Sequence, residues 1–194
     1  MKHRLFAKVF ASSIATAFMA ALAGTSPASA QTGHDHASSS DDHSSSALVA
    51  VVRQATERFR DPAVAIAEGY GLQFGCVTGP DAGAMGMHFV NFPLVADGEI
   101  DATRPEIVIY EPLPDGRLRL IGADFLVLAD TWAAKHPNAG PPELMGQLFH
   151  YFESPNRFGL PAFYTLHVWA WKDNPNGTFV NWHPNVSCDG FAGR

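Results

Sequence analysis

Cysteine is scarce: Cys76 and Cys188 are the only two in 194 residues. Neither has a CxxC companion, which excludes a thiolate zinc knuckle and a dithiol redox motif. In an oxidising compartment the remaining use for two such residues is a disulfide with each other. That bridge would close most of the folded region into one loop, which the chain-entropy model values at about 4–5 kcal/mol. Cations are also few, 13 Lys and Arg against 19 Asp and Glu, for a formal charge of -6. Without clustered Lys and Arg to neutralise phosphates, a nucleic-acid partner is excluded, and cations or neutral small molecules are the better-suited ligands. Four catalytic signatures are missing as well: GxSxG, HExxH, GxxxxGK[ST] and a complete dinucleotide fingerprint, of which Gly69-Tyr70-Gly71 is only a fragment. Ordinary serine hydrolases, zincins, P-loop enzymes and Rossmann proteins therefore drop out.

What is present begins with an address. Lys2, His3, Arg4 and Lys8 form a basic start, an apolar run continues to Leu22, and Ala28-Ser29-Ala30 supplies a small-residue cleavage pattern. Ser12, Ser13 and Thr16 interrupt the run, and Gly24 and Pro27 follow it, as in a removable signal at 1–30 rather than an anchor. No second run of that kind follows, so no membrane span is expected after signal removal. Cleavage would take Lys2, Arg4 and Lys8 with it and shift the formal charge from -6 to -9. The expected location is periplasmic or secreted. Residues 31–46, rich in Ser, Asp and His, lack large apolar groups and read as a flexible leader. Its His and Asp can gather divalent ions loosely, and trimming to Thr32 would place His34 third, where Cu²⁺ is wrapped in a plane. A solvated spacer is the alternative.

Residues 47–194 read as a single globular domain of α+β class, with N-terminal helices packed on a curved, mainly antiparallel β-sheet. Ser46 caps a helical pattern in which Leu48, Val49, Val52, Ala55 and Phe59 share one face. A second helix begins at Asp61-Pro62 and stops at Gly69. Strands are expected at 72–77, 85–91, 106–111, 117–128, 163–171 and 178–182, with turns at Leu113–Gly116 and Asp173–Gly177. Thr131 to His136 suggests one helical turn, and 142–152 fits either helix or strand.

Histidine inside apolar strands is the unusual feature. His88 lies in GAMGMHFVN, His167 in FYTLHVWAW and His150 in GQLFHYF, while His183 follows Trp182. Neutral imidazole is the commonest metal ligand, and Gly86, on the same strand face as His88, would leave room beside that ring. Glu111 ends an apolar strand and offers a carboxylate. The candidate metal set is thus His88, Glu111, His150 and His167, with His183 in reserve, suited to Zn²⁺, Cu²⁺ or non-haem iron. The competing reading makes each histidine a satisfied core group and pairs Glu111 with Arg117 or Arg119. Met85, Met87 and Met145 allow Cu(I) coordination or plain core filling. Trp169, Trp171 and Tyr164 read as a ligand cleft or as core.

On the stretches GAMGMHFVN, PEIVIYEPLPDGRLRLIGADF, ELMGQLF, LHVWAWKDNPNG and NPNVSCD, the chain resembles an exported bacterial family of uncharacterised activity over about residues 48–190. The resemblance implies one exported domain and carries no catalytic role. No HxH pair with a close Glu is present, so the cupin metal motif is not met. The expected function is binding of a divalent metal, or its use on a small molecule; a non-catalytic module with an aromatic cleft, or a structural protein, are the alternatives.

Overall fold

The computed structural model describes residues 38–79 and 81–193, with side chains from Ala47 onward. The expected signal, its cleavage point and the leader through Ala37 lie outside the described residues. Helix α1 spans Ser38–Thr56, so Ser46 is inside it and not at its cap. Once packed turns nucleate a helix, each added residue costs little, and weak helix formers are carried along. Leu48 and Val52 of α1, and Phe59 in the 3-10 turn Glu57–Arg60 that follows, are fully buried on the expected face. Burying each contributes about 1.5–3 kcal/mol. Asp61 then accepts the Ala63 N–H at 3.0 Å and caps α2, Pro62–Ala67.

Most of the remainder is β1 (Gly71–Gly79), β2 (Gly83–Val90), β3 (Ile107–Pro112), β4 (Leu118–Leu128), β5 (Glu143–Leu144), β6 (Gln147–Leu148), β7 (His150–Phe152) and β8 (Phe163–Val168). Six of these form one curled antiparallel sheet in the order β1-β2-β3-β4-β8-β7, and β5-β6 is a separate two-stranded hairpin. Cross-strand partners share a face, so the register sorts the side chains. On one face Ile107, Ile109, Leu126 and Phe163 join a core with Trp169 and Val186. On the other, Phe125, Leu166 and Val168 pack on Leu48 and Val52, and Phe89 and Tyr110 pack near Phe59 and Ala65. With both faces covered, the central strands are apolar almost throughout, and any polar residue there is an exception that needs a partner.

Two glycines let strands approach closely. A Cβ on Gly122 would meet the Val168 carbonyl oxygen at 2.5 Å, and one on Gly86 (φ +95°) would meet that of Tyr110 at 2.7 Å. The space expected beside Gly86 for a ligand is therefore filled by β3. Other segments depart from expectation or resolve what the sequence left open. Helix α3, Phe92–Asp97, follows β2 directly, capped by Asn91 and ended by Gly98 at φ 73°. Residues 142–152 resolve into β5, β6 and β7, and α4 occupies Ala129–Lys135. The strand expected at 178–182 is irregular chain instead: Trp169 N donates to Thr178 O, but no ladder forms. The Cys76–Cys188 disulfide ties the last segment to β1. Among the described residues no helix is long and apolar enough to cross a membrane.

Candidate metal centre

β2 supplies His88, β4 supplies Asp124 and β8 supplies His167, all buried. In register, His88 lies across from Ile109 and Ile109 from Gly122, while Asp124 lies across from His167. The two histidines are thus three strands apart, about 14 Å of sheet at ordinary strand spacing. Their Nε2 atoms nonetheless stand 3.4 Å from each other. Sheet curl closes that gap, and Gly122, by lacking a Cβ, lets β4 and β8 approach closely beside the site.

Asp124 completes the group. Its Oδ1 accepts the Thr165 hydroxyl at 2.6 Å and lies 3.5 Å from His167 Nδ1. His88, Asp124 and His167 each place a ligand atom within 4.8 Å of the others. Burial lowers the His88 pKa to about 4, helped by the neighbouring His167. Burial also lowers that of His167 to about 3, with a further push from His150. Both rings are therefore neutral at pH 7, the form that binds metal without first losing a proton. Burial raises Asp124 to about 6, which leaves it mostly ionised at neutral pH.

Hydrogen-bond arithmetic shows what this group lacks. Two neutral imidazoles meeting through Nε2 need one donor and one acceptor, so one ring keeps its hydrogen on Nδ1 and the other exposes a lone pair there. Neither Nδ1 has a well-aligned hydrogen-bond partner: the backbone of Gly86 lies near the His88 ring without good alignment, and Asp124 Oδ1 is 3.5 Å from His167 Nδ1. A cation between the two Nε2 atoms would let both Nδ1 atoms carry hydrogens, with that of His167 directed at Asp124. Two nitrogens bound to Zn²⁺ at 2.0–2.1 Å with a tetrahedral angle lie about 3.3–3.4 Å apart, which matches the observed separation. Asp124 can serve as the third ligand, or as the carboxylate that orients a ligating histidine.

The other expected site residues lie elsewhere. Glu111 accepts Lys172 Nζ at 2.7 and 3.0 Å, a close Arg119 guanidinium and the Ser187 N–H at 3.4 Å. Burial pushes its pKa up, yet the hydrogen bonds from Lys172 and Arg119 together hold it below the usual range. With its lone pairs engaged, Glu111 anchors the 172–187 segment and does not join the histidines. His183 accepts the Asn185 N–H at Nδ1 and donates Nε2–H to the Asp173 carbonyl, both at 3.0 Å, so it is fully satisfied. His150 lies across from Thr165, on the same sheet face as His167, but is exposed and bonded to Asn181 at 3.2 Å. Met87 packs beside Phe89, and Met145 is exposed in the β5–β6 turn.

The aromatic cleft also takes a different form. Trp169 donates to the Val180 carbonyl in one core, whereas Trp171 donates to Thr56 Oγ1 and Tyr164 packs at a tilt against Tyr151 on the other side. Phe74, Phe152, Phe158 and Phe163, with Met85, Leu126 and Leu160, instead wall a cavity of about 30 Å³ whose floor is His88, Asp124, Thr165 and His167. Asp124 escaped the sequence reading although RLRLIGADFLVL carries the same signal as GAMGMHFVN, one ionisable group in the middle of an apolar strand. No family model, curated protein or solved structure matches the chain.

Proposed function

We propose that the domain binds one divalent transition-metal ion through His88 Nε2 and His167 Nε2, with Asp124 as third ligand or orienting carboxylate. The observation that carries this reading is the 3.4 Å approach of two buried, neutral imidazoles beside a buried carboxylate. Zn²⁺, Cu²⁺ and iron all accept two imidazoles and one carboxylate, and such a set leaves at least one coordination position free. The disulfide and the N-terminal signal pattern support a periplasmic or secreted protein in which the leader tethers a single domain.

The test is metal content in the full chain with His34, His36 and His43 changed to Ser, which removes the leader's imidazole ligands. The expected result is about one equivalent of metal, lost in a further His88→Ala, His167→Ala variant that keeps its circular dichroism spectrum. Metal that disappears with the leader histidines alone, or that survives the double change, would refute the site.

A further inference from the structure

Resting on that metal reading, we infer that the aromatic-walled cavity admits a small neutral molecule, an apolar body with one lone-pair donor atom, to the open coordination position. The floor of the cavity is the only polar part of its lining; the walls are Phe, Leu, Ile and Met. A bound dication with one carboxylate and two neutral imidazoles would carry a single net positive charge. An anion would be drawn to that charge, but its remaining oxygens would then face walls with no N–H or O–H donor. The Thr165 hydroxyl cannot serve, because it already donates to Asp124. Burying those oxygens unpaired costs more than a neutral donor with a hydrocarbon remainder would pay, so the cavity selects for neutrality.

Size selection falls to the roof. Phe74 lines the cavity while 45% exposed, and its ring meets Phe158 edge-on at 5.5 Å. Its φ is 61°, a left-handed conformation that is costly for a bulky residue and persists only where the surroundings impose it. They do so here: Gly75 follows at φ 63°, Cys76 is held by the disulfide, and the Phe191 ring packs against Gly75. The resulting bulge between Gln73 and Cys76 carries Phe74, which both lines the cavity and reaches solvent and so stands at its boundary. With Phe74 in this position, about 30 Å³ accommodates one or two water-sized groups. A ligand of several heavy atoms must displace the ring.

The experiment uses the full chain with the leader histidines replaced, loaded with Co²⁺, and follows the visible cobalt bands. Imidazole at pH 8 should shift them saturably. Imidazole-4-acetate, with the same donor and an added charge, should bind at least tenfold more weakly. Phe74→Ala should leave cobalt stoichiometry unchanged and admit 4-phenylimidazole at least tenfold more tightly than the parent does. Equal binding of the charged and neutral probes, cobalt bands indifferent to imidazole, or 4-phenylimidazole binding unaltered in Phe74→Ala would each overturn the inference. Failure to hold cobalt at all would instead remove the metal site, and the inference with it.

Discussion

Replacing Asp124 by Asn should move stability and metal affinity in opposite directions. The carboxylate is 2% exposed, and its pKa is raised from 3.8 to about 6, chiefly by burial. At 1.36 kcal/mol per pH unit, holding it ionised in the folded protein at pH 7 costs about 3 kcal/mol relative to the unfolded chain. Asn removes that charge, and its carbonyl can still accept the Thr165 hydroxyl. Allowing for imperfect amide placement, metal-free Asp124→Asn should gain about 1–3 kcal/mol at pH 7.5, or several degrees in Tm. The sign has a pH signature. A group whose folded pKa is raised loses stability as pH climbs from the unfolded to the folded value, here from about 4 to 6. The advantage of Asn should therefore be small near pH 4, grow to about pH 6 and stay flat above. Zinc affinity should meanwhile fall ten- to a hundredfold, as expected on losing a carboxylate that ligates or orients a ligand. Urea denaturation in EDTA and zinc titration against a competing chelator measure the two arms. A variant that is destabilised without metal and binds zinc as before would refute the assignment and make Asp124 an ordinary structural partner.

Acid should weaken the metal-free protein from another direction. His88 and His167 titrate near 4 and 3 when folded but near 6.5 when unfolded, so their contribution is complete above 6.5 and is lost as pH falls toward 4. His88→Gln, His167→Gln should flatten that slope in EDTA, and an unchanged pH profile of Tm would show that the rings are not buried neutral. Glu106, 2% exposed and accepting the Leu126 N–H at 3.0 Å, is pushed up to about 8 by burial. Its raised pKa means stability is lost as pH rises from about 4.5 to 8, so Glu106→Gln should gain up to about 5 kcal/mol at pH 9 and little at pH 4.5, read by urea midpoints. Changing Cys76 and Cys188 to Ser opens a loop with a sequence separation of 112 and should cost about 5 kcal/mol in the same assay, whereas a cost under about 1 kcal/mol would show that the bridge constrains little.

Elements were legible where one local rule decided them. The α1 face, the Asp61 cap before Pro62 and the Leu113–Gly116 turn all follow from spacing or turn chemistry, and all stand in the fold. Helix α3 carried its own signals, an Asn cap, a Pro in the first turn and a terminal Gly, but these overlap the end of an apolar strand, and the strand pattern took precedence. The 178–182 segment alternates like a strand yet is held by isolated contacts, Trp169 Nε1 on Val180 O and Asn174 on Trp182 O, that no periodicity encodes. Within the candidate site, His88 and His167 stood out as polar residues in apolar strands. Their meeting did not, because it depends on curl accumulated over three strands. Glu111 could have been set aside from the hairpin alone: a turn at 113–116 places Arg119 directly across from it, and cross-strand opposite charges pair.

Buried histidines are treated in two different ways within this one molecule. His183 is fully buried, and both its nitrogens are partnered at 3.0 Å, one as acceptor and one as donor. That is how this fold treats an imidazole whose job is to hold chain together. His88 and His167 are nearly as buried, yet each leaves Nδ1 without a proper partner and they share one long contact through Nε2. Beside them Asp124 retains a charge that burial makes expensive. Apolar side chains at the three positions would avoid all of these costs. A sheet core that accommodates an under-bonded imidazole pair and a buried carboxylate, in the only polar part of an aromatic cavity's lining, gives up stability for an interaction that a cation between the two Nε2 atoms would complete.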